Sequence, residues 1–171
     1  MRNRKIKCIT LAAVFAALIT AAEMLHLPLF SSQGYAHLGD GILYIAASVL
    51  PFPYCAAAAA LGGAMGDLLS GYFIWIPFTA VIKALNVIPF IVAKKHRKST
   101  KKISAANIFA CVFSGIITCG MYFLASRVIY GSFAASLADL PANAVQALLG
   151  AVIYLIFETL PVSHISIDKD D

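Results

Sequence analysis

The sequence contains few charged residues. Only 12% of its 171 residues are Asp, Glu, Lys or Arg, and 61% are hydrophobic. A soluble domain has about 25% charged and about 45–50% apolar residues, so this composition excludes an ordinary soluble domain and predicts an integral membrane protein. Because a transmembrane helix needs about 20 mostly apolar residues, the chain has room for five or six spans and for no separate soluble domain.

Motifs of hydrolases and metal sites are absent from the sequence. It has no Walker A loop, no H-E-x-x-H and no G-x-S-x-G, so we do not expect it to hydrolyse ATP or to act as a hydrolase of these types. Its four cysteines show no C-x-x-C spacing and no histidine partners at metal-ligand spacing. We interpret them as small apolar core groups. We therefore expect no enzyme activity, no metal and no cofactor.

The apolar segments predict six transmembrane helices in a single membrane domain that covers residues 1–171. Each span must be helical, because an open strand edge cannot be satisfied in hydrocarbon. The predicted spans are about 8–26, 38–50, 54–70, 72–93, 103–126 and 141–160. We expect Pro141, as a first-turn proline, to mark the start of the last span, and Arg127 and Tyr130 to lie in the loop before it.

Basic residues are distributed asymmetrically around these spans. They form one cluster near the N-terminus and another in the segment KKHRKSTKK at 94–102, while only Arg127 falls in a predicted outer loop. Because cytoplasmic loops are enriched in Lys and Arg, both termini are predicted to be cytoplasmic. The clusters are short and lie beside apolar spans, so the net charge of +5 is interpreted as a topology signal and not as a nucleic-acid-binding surface.

Four acidic residues lie near the outer ends of the predicted spans, namely Glu23, Asp40, Asp67 and Asp139. Asp40 differs from the others because His37 precedes it by three residues at the start of a short helix, where a carboxylate also suits the positive end of the helix dipole. For Glu23 and Asp139, an interfacial helix-end position and a place in a site are both open. The polar chemistry of the chain is predicted to face outward.

Polar residues also occur inside the predicted spans. Lys83 falls near mid-membrane, where an unpaired lysine costs about 2.5–3.5 kcal/mol, so it should face the bundle interior and find a partner or a ligand. Asn143 and Gln146 are three residues apart and share one helix face, where they either bind a neighbouring helix or recognise a polar ligand. Trp75 belongs to an interfacial aromatic belt or stacks on a planar ligand.

Small residues form close-contact surfaces on two spans. The first span carries overlapping A-x-x-x-A steps at Ala12, Ala13, Ala16 and Ala17, and the third carries a G-x-x-x-G step at Gly62–Gly66. Such surfaces let helix backbones approach closely. The spacing leaves open whether the contact is internal or with another subunit; for the third span we expect an internal contact.

Several of these motifs occur together in one known family. The segments YAHLGDGILYIAA, GDLLSGY and LPANAVQALLG, with the lysine of AVIKALN and the alanine-rich first helix, resemble the substrate-binding S component of energy-coupling factor (ECF) vitamin transporters. The similarity covers nearly the whole chain. It is strongest to the branch that includes riboflavin-type and hydroxymethylpyrimidine- or pyridoxine-type S components.

The resemblance implies a six-helix protein of the plasma membrane that captures a small-molecule vitamin from outside. Such a protein works in the lipid bilayer with a transmembrane coupling subunit and two ATPase subunits, which is consistent with the missing Walker motif. Ala12, Ala13, Ala16 and Ala17 match the surface that contacts the coupling subunit. The expected substrate-binding residues are His37, Asp40, Asp67, Trp75, Lys83, Asn143 and Gln146.

The residue types narrow the substrate without selecting one molecule. Acids, amides, a lysine and aromatic rings suit a small, flat, polar heterocycle such as a pyrimidine or pyridine vitamer, whereas riboflavin requires a larger pocket. A rival hypothesis is a stand-alone small permease or channel-like protein that works without ATPases. An intramembrane enzyme that uses His37 and Asp40 as acid and base is disfavoured, because no nucleophile or metal set accompanies them.

Overall fold

Seven α-helices form the regular structure of the part of the chain that the structure describes. The computed structural model describes residues 2–25, 27, 36–96 and 103–160, so part of the basic segment at 94–102 lies outside the described residues. Within these ranges the only β pairing is an isolated antiparallel bridge between Leu27 and Ala36. The helices are α1 (Arg2–Glu23), α2 (Gly39–Val49), α3 (Phe52–Leu69), α4 (Ile76–Asn86), α5 (Ile88–His96), α6 (Ala105–Tyr130) and α7 (Phe133–Thr159).

Among the described residues, five helical segments are long and apolar enough to cross a membrane. They are Asn3–Glu23, Phe52–Leu69, Phe73–Lys95, Ala105–Tyr130 and Phe133–Thr159. The third of these combines a 3₁₀ turn at Phe73–Trp75 with α4 and α5. The prediction of an all-α, multi-pass membrane protein is therefore confirmed, and the cytoplasmic location of the termini stays a prediction.

The second predicted span is shorter than a membrane-crossing helix. With 11 residues, α2 is about 16 Å long, whereas the hydrocarbon core is about 30 Å thick. It packs against α1, α3, α5 and α7, so other helices enclose it. Further along α2, Tyr44 stacks on Phe90 with ring centroids 4.3 Å apart, and Tyr154 meets Phe90 edge-on at 4.9 Å. This apolar core leaves Asp40, the charged residue of α2, at the N-terminal end of the helix.

The last turn of α6 differs from the sequence-based prediction. α6 continues to Tyr130, so Arg127 and Tyr130 lie in this turn and not in a loop. Gly131, with φ of 65°, ends the helix in the left-handed conformation that glycine adopts readily. The Arg127 guanidinium donates a hydrogen bond of 2.6 Å to the Gly131 carbonyl, which explains why this basic residue belongs to the helix end.

α7 begins eight residues earlier than the first-turn proline suggests. The Ser132 hydroxyl accepts a hydrogen bond of 3.3 Å from the Ala135 N–H and caps the helix. Pro141 consequently lies inside α7, and our prediction that it marks the start of this helix was wrong. The serine cap after a left-handed glycine sets the boundary, and neighbouring helices allow an interior proline in a membrane helix.

α1 and α3 cross in close contact at the G-x-x-x-G step. The Thr20 hydroxyl donates to the Ala16 and Gly62 carbonyls, each at 3.0 Å, and a Cβ placed on Gly62 would lie 2.8 Å from the Ile19 side chain. This is the internal contact that we expected for the third span. Since it uses one side of α1, it divides the alanine surface: Ala12 and Ala16 are partly buried, whereas Ala13 and Ala17 are exposed.

Candidate functional site

A polar cavity of about 60 Å³ lies at the end of the bundle where α2 begins. The surrounding helices and the turn before α4 contribute its wall. Five of the seven predicted site residues line it, namely His37, Asp67, Trp75, Asn143 and Gln146. The other lining residues are Tyr72, Thr79, Tyr122, Asp139 and Ala142.

The other two predicted site residues, Asp40 and Lys83, lie behind this wall. Both are fully buried. The Lys83 Nζ is 2.5 Å from Asp40 Oδ1 and 3.2 Å from Glu23 Oε1. We call Glu23, Asp40 and Lys83 the ion network. Lys83 therefore faces the bundle interior, where two carboxylates, one from α1 and one from α2, lie within ion-pair distance of it.

The ion network reaches the cavity wall through a side-chain amide. Gln146 Nε2 donates a hydrogen bond of 2.9 Å to Asp40 Oδ2. His37 forms a second connection, because its Nδ1 accepts a 3.2 Å bond from the Gly39 N–H and its Nε2 lies 3.9 Å from Glu23 Oε1. Side chains on α1, α2, α4 and α7 are thus joined beneath the cavity.

Glycines make room for the ion network. A Cβ on Gly66 of α3 would overlap the Glu23 carboxylate, and one on Gly39 of α2 would overlap the Glu23 Cγ. On Gly63, a Cβ would lie 2.8 Å from Lys83 Cγ. Because these glycines lack a side chain, the long charged side chains of Glu23 and Lys83 can pack directly against the backbones of α2 and α3.

Aromatic side chains contribute to the wall of the cavity. The Trp75 ring centroid is 5.9 Å from that of Tyr122 and 6.0 Å from that of Tyr130. The Tyr122 hydroxyl donates to Thr79 Oγ1 at 3.2 Å. Ligand pockets usually measure about 300–1,000 Å³, so a vitamin-sized ligand has to displace some of these side chains from a cavity of about 60 Å³.

Hydrogen-bond acceptors are abundant in the wall. Asp67 and Asp139 each contribute a largely buried carboxylate, and Asp139 Oδ2 accepts a 2.9 Å bond from the Ser126 hydroxyl. The lining residues include no lysine or arginine. This arrangement favours a neutral or cationic ligand that carries several hydrogen-bond donors, and it disfavours an anion.

The structure adds residues to the site that the sequence did not indicate. Thr79 lies four residues before Lys83 and so shares its helix face, which was a usable signal, whereas Tyr122 reaches the site only through helix packing. For Glu23 and Asp139 the sequence left a place in the site open. The structure places Glu23 beside Lys83 and Asp139 in the cavity wall.

The comparisons with known proteins assign the chain to a transporter family. A family model described as "ECF-type riboflavin transporter, S component" matches residues 3–160, which include the cavity and nearly all of the seven helices. A search of curated proteins finds no match to the chain.

Proposed function

Because the chain belongs to the family of ECF-type riboflavin transporter S components, we propose that it captures riboflavin from outside the cell for an ECF importer. The family is one of vitamin-transport subunits and not of enzymes. The proposed partners are a transmembrane coupling subunit and two ATPase subunits in the plasma membrane, consistent with the absence of a Walker A loop from this chain.

One observation carries the proposal: a cavity lined mostly by polar side chains lies at the end of the bundle where α2 begins. Ionisable and amide side chains are costly in a membrane protein and mark binding sites or pathways. Here they surround a cavity whose wall also includes Trp75 and Tyr122. Aromatic faces with nearby carboxylates and amides suit a flat heterocycle that carries hydroxyl and N–H groups.

Among the vitamins considered, riboflavin has the strongest support. The family match names it, its ring system is flat, and its hydroxylated side chain supplies donors for Asp67 and Asp139. The smaller pyrimidine and pyridine vitamers need less space. Pocket enlargement by side-chain movement is therefore part of the proposal for riboflavin.

Riboflavin binding is expected to quench the fluorescence of the purified protein. Trp75 is the single tryptophan and lines the cavity, and riboflavin absorbs in the region of tryptophan emission. Titration in detergent should give a saturable signal, and Asn143→Ala should weaken the affinity by about tenfold, the equivalent of one hydrogen bond to the ligand.

The control for this titration is Ser114→Ala. Ser114 donates to the Tyr44 hydroxyl at 3.0 Å in the core and is not a cavity residue, so this variant should keep the wild-type affinity. Quenching by hydroxymethylpyrimidine or pyridoxine with no response to riboflavin would contradict the proposed substrate. Full riboflavin affinity in Asn143→Ala would contradict the proposed site.

Uptake is expected to need the whole ECF module. Proteoliposomes that contain this chain, the coupling subunit and both ATPase subunits should accumulate riboflavin when ATP is present on the side of the ATPases. Proteoliposomes with this chain alone should not accumulate it. Uptake by the chain alone would instead support the stand-alone permease.

We also propose that the alanine surface of α1 contacts the coupling subunit. Ala13 and Ala17 are exposed, and Ala12 and Ala16 border them as partly buried residues. A shallow surface groove of about 370 Å³ between α1 and α3 includes Ala16 and Ala17. Small side chains there permit a partner helix to approach closely.

A further inference from the structure

We infer that Asp40 fixes the direction of the Gln146 side-chain amide, so that the cavity presents a carbonyl oxygen to the ligand and selects a ring N–H. The inference rests on the proposed function, because it concerns how the proposed flavin is recognised. It makes Asp40 a positioning residue that acts through Gln146 without touching the ligand.

The Asp40 carboxylate accepts a hydrogen bond from each of two side chains. Gln146 Nε2 lies 2.9 Å from Asp40 Oδ2, while Lys83 Nζ lies 2.5 Å from Asp40 Oδ1. A carboxylate paired with lysine is ionised and can only accept hydrogen bonds. Turning the amide over would place its oxygen against this carboxylate with no proton between them, so the NH₂ group has to face Asp40.

With its NH₂ group bound to Asp40, the Gln146 amide has its oxygen, Oε1, left to bind a ligand. Gln146 is only 2% exposed and lines the cavity, and its Oε1 accepts no hydrogen bond from any residue that the structure describes. Gln146 Oε1 is not among the buried atoms that lack a partner, so it is accessible from the cavity. A ligand N–H or O–H can donate to this oxygen, whereas a ligand acceptor at the same place would face it with no proton between them.

Two more polar side chains of α7, Asn143 and Asp139, line the cavity beside Gln146. Asn143 lies one turn before Gln146 on the same face, and it makes no side-chain hydrogen bond within the described ranges, so its NH₂ can donate. An acceptor beside a donor complements the imide edge of a flavin, where an N–H stands between two carbonyls. Asp139 lies one turn further toward the N-terminus of α7. Besides the Ser126 hydroxyl, its carboxylate can accept hydrogen bonds from hydroxyl groups of the ligand.

The sequence of contacts along α7 also orients the ligand. Gln146 is in contact with the ion network, and Asp139 lies seven residues, or about 10 Å, before it along the helix. The imide edge therefore points inward, toward α2, and the hydroxylated chain points toward the start of α7.

The test compares riboflavin with 3-methylriboflavin, in which a methyl group replaces the imide hydrogen. The purified wild-type protein is expected to bind riboflavin at least about tenfold more tightly than the methyl analogue. Asp40→Asn should reduce this ratio to about threefold or less, mainly by weakening the affinity for riboflavin. An asparagine can donate as well as accept hydrogen bonds, so it no longer fixes the direction of the Gln146 amide.

Asp40→Asn separates orientation from steric exclusion. It preserves the side-chain volume and leaves the Lys83–Glu23 pair as a neutral unit, so a purely steric rejection of the methyl group would keep the wild-type ratio. The control Ser114→Ala also removes a buried polar group but should not change the ratio. If Asp40→Asn does not fold, Gln146→Leu provides the same measurement, and it should reduce the ratio in the same way.

The outcomes distinguish this inference from the function on which it rests. No riboflavin binding by the wild type overturns both. Riboflavin binding with an unchanged ratio in Asp40→Asn, or in Gln146→Leu where that variant is used, overturns the inference alone. Equal wild-type affinity for the two flavins also overturns it and leaves the transport function standing.

Discussion

Replacing Lys83 with methionine is expected to destabilise the protein by about 3–5 kcal/mol, the usual cost of removing one partner from a buried ion pair. The substitution leaves Glu23 and Asp40 next to each other without a cation in a site that is almost completely buried. The free energy of unfolding, measured by reversible denaturation in mixed detergent micelles, checks this value.

Two further variants test the electrostatic cause. Lys95→Met makes the same chemical change at an exposed position and should have little effect. Combining Lys83→Met with Glu23→Gln and Asp40→Asn removes the uncompensated charges, so most of the lost stability should return. Wild-type stability in Lys83→Met alone would show that the lysine charge does not stabilise the two buried acids.

Gly66→Ala is expected to lower the free energy of unfolding by about 1–3 kcal/mol, the range for overpacking a tight contact. The added Cβ would overlap the Glu23 carboxylate and lie 2.9 Å from the Glu23 Cβ. Either α1 and α3 move apart or Glu23 turns away from Lys83, and both changes weaken the bundle. Thermal and detergent denaturation measure the loss.

The matched control for this substitution is Gly120→Ala on α6. No atom lies within 4 Å of a Cβ built on Gly120, and alanine is the better helix former by about 1 kcal/mol. This variant should therefore be neutral or slightly stabilised. Equal destabilisation by both substitutions would mean that the loss does not come from the α1–α3 contact.

The sequence alone predicted much of the fold because the membrane limits the choices. Long apolar segments in lipid have to be helices, and a lysine in such a segment has to face the interior. These two arguments identified the helical membrane bundle and the inward position of Lys83. They did not identify its partners, since Glu23 and Asp40 are 60 and 43 residues away along the chain.

The site was predicted in part for a similar reason. Asn143 and Gln146 were paired correctly because their spacing along one helix is local information. Asp40 was expected to line the cavity but lies behind Gln146, because burial depth depends on how α2 packs against α7. A place for Asp139 in the site stayed open, because an acid near a predicted helix end also suits the membrane interface. The start of α7 was misplaced at Pro141, although Gly131 and Ser132 carry the stronger boundary signal.

The shortness of α2 has a consequence for how the chain is made. During synthesis, Asp40 emerges from the ribosome 43 residues before Lys83, and α2 has only 11 residues, too few to settle across lipid unaided. We therefore expect the Asp40 carboxylate to stay in contact with water or with the insertion machinery until Lys83 has been synthesised. On this basis α2 reaches its packed position only after α4 is made.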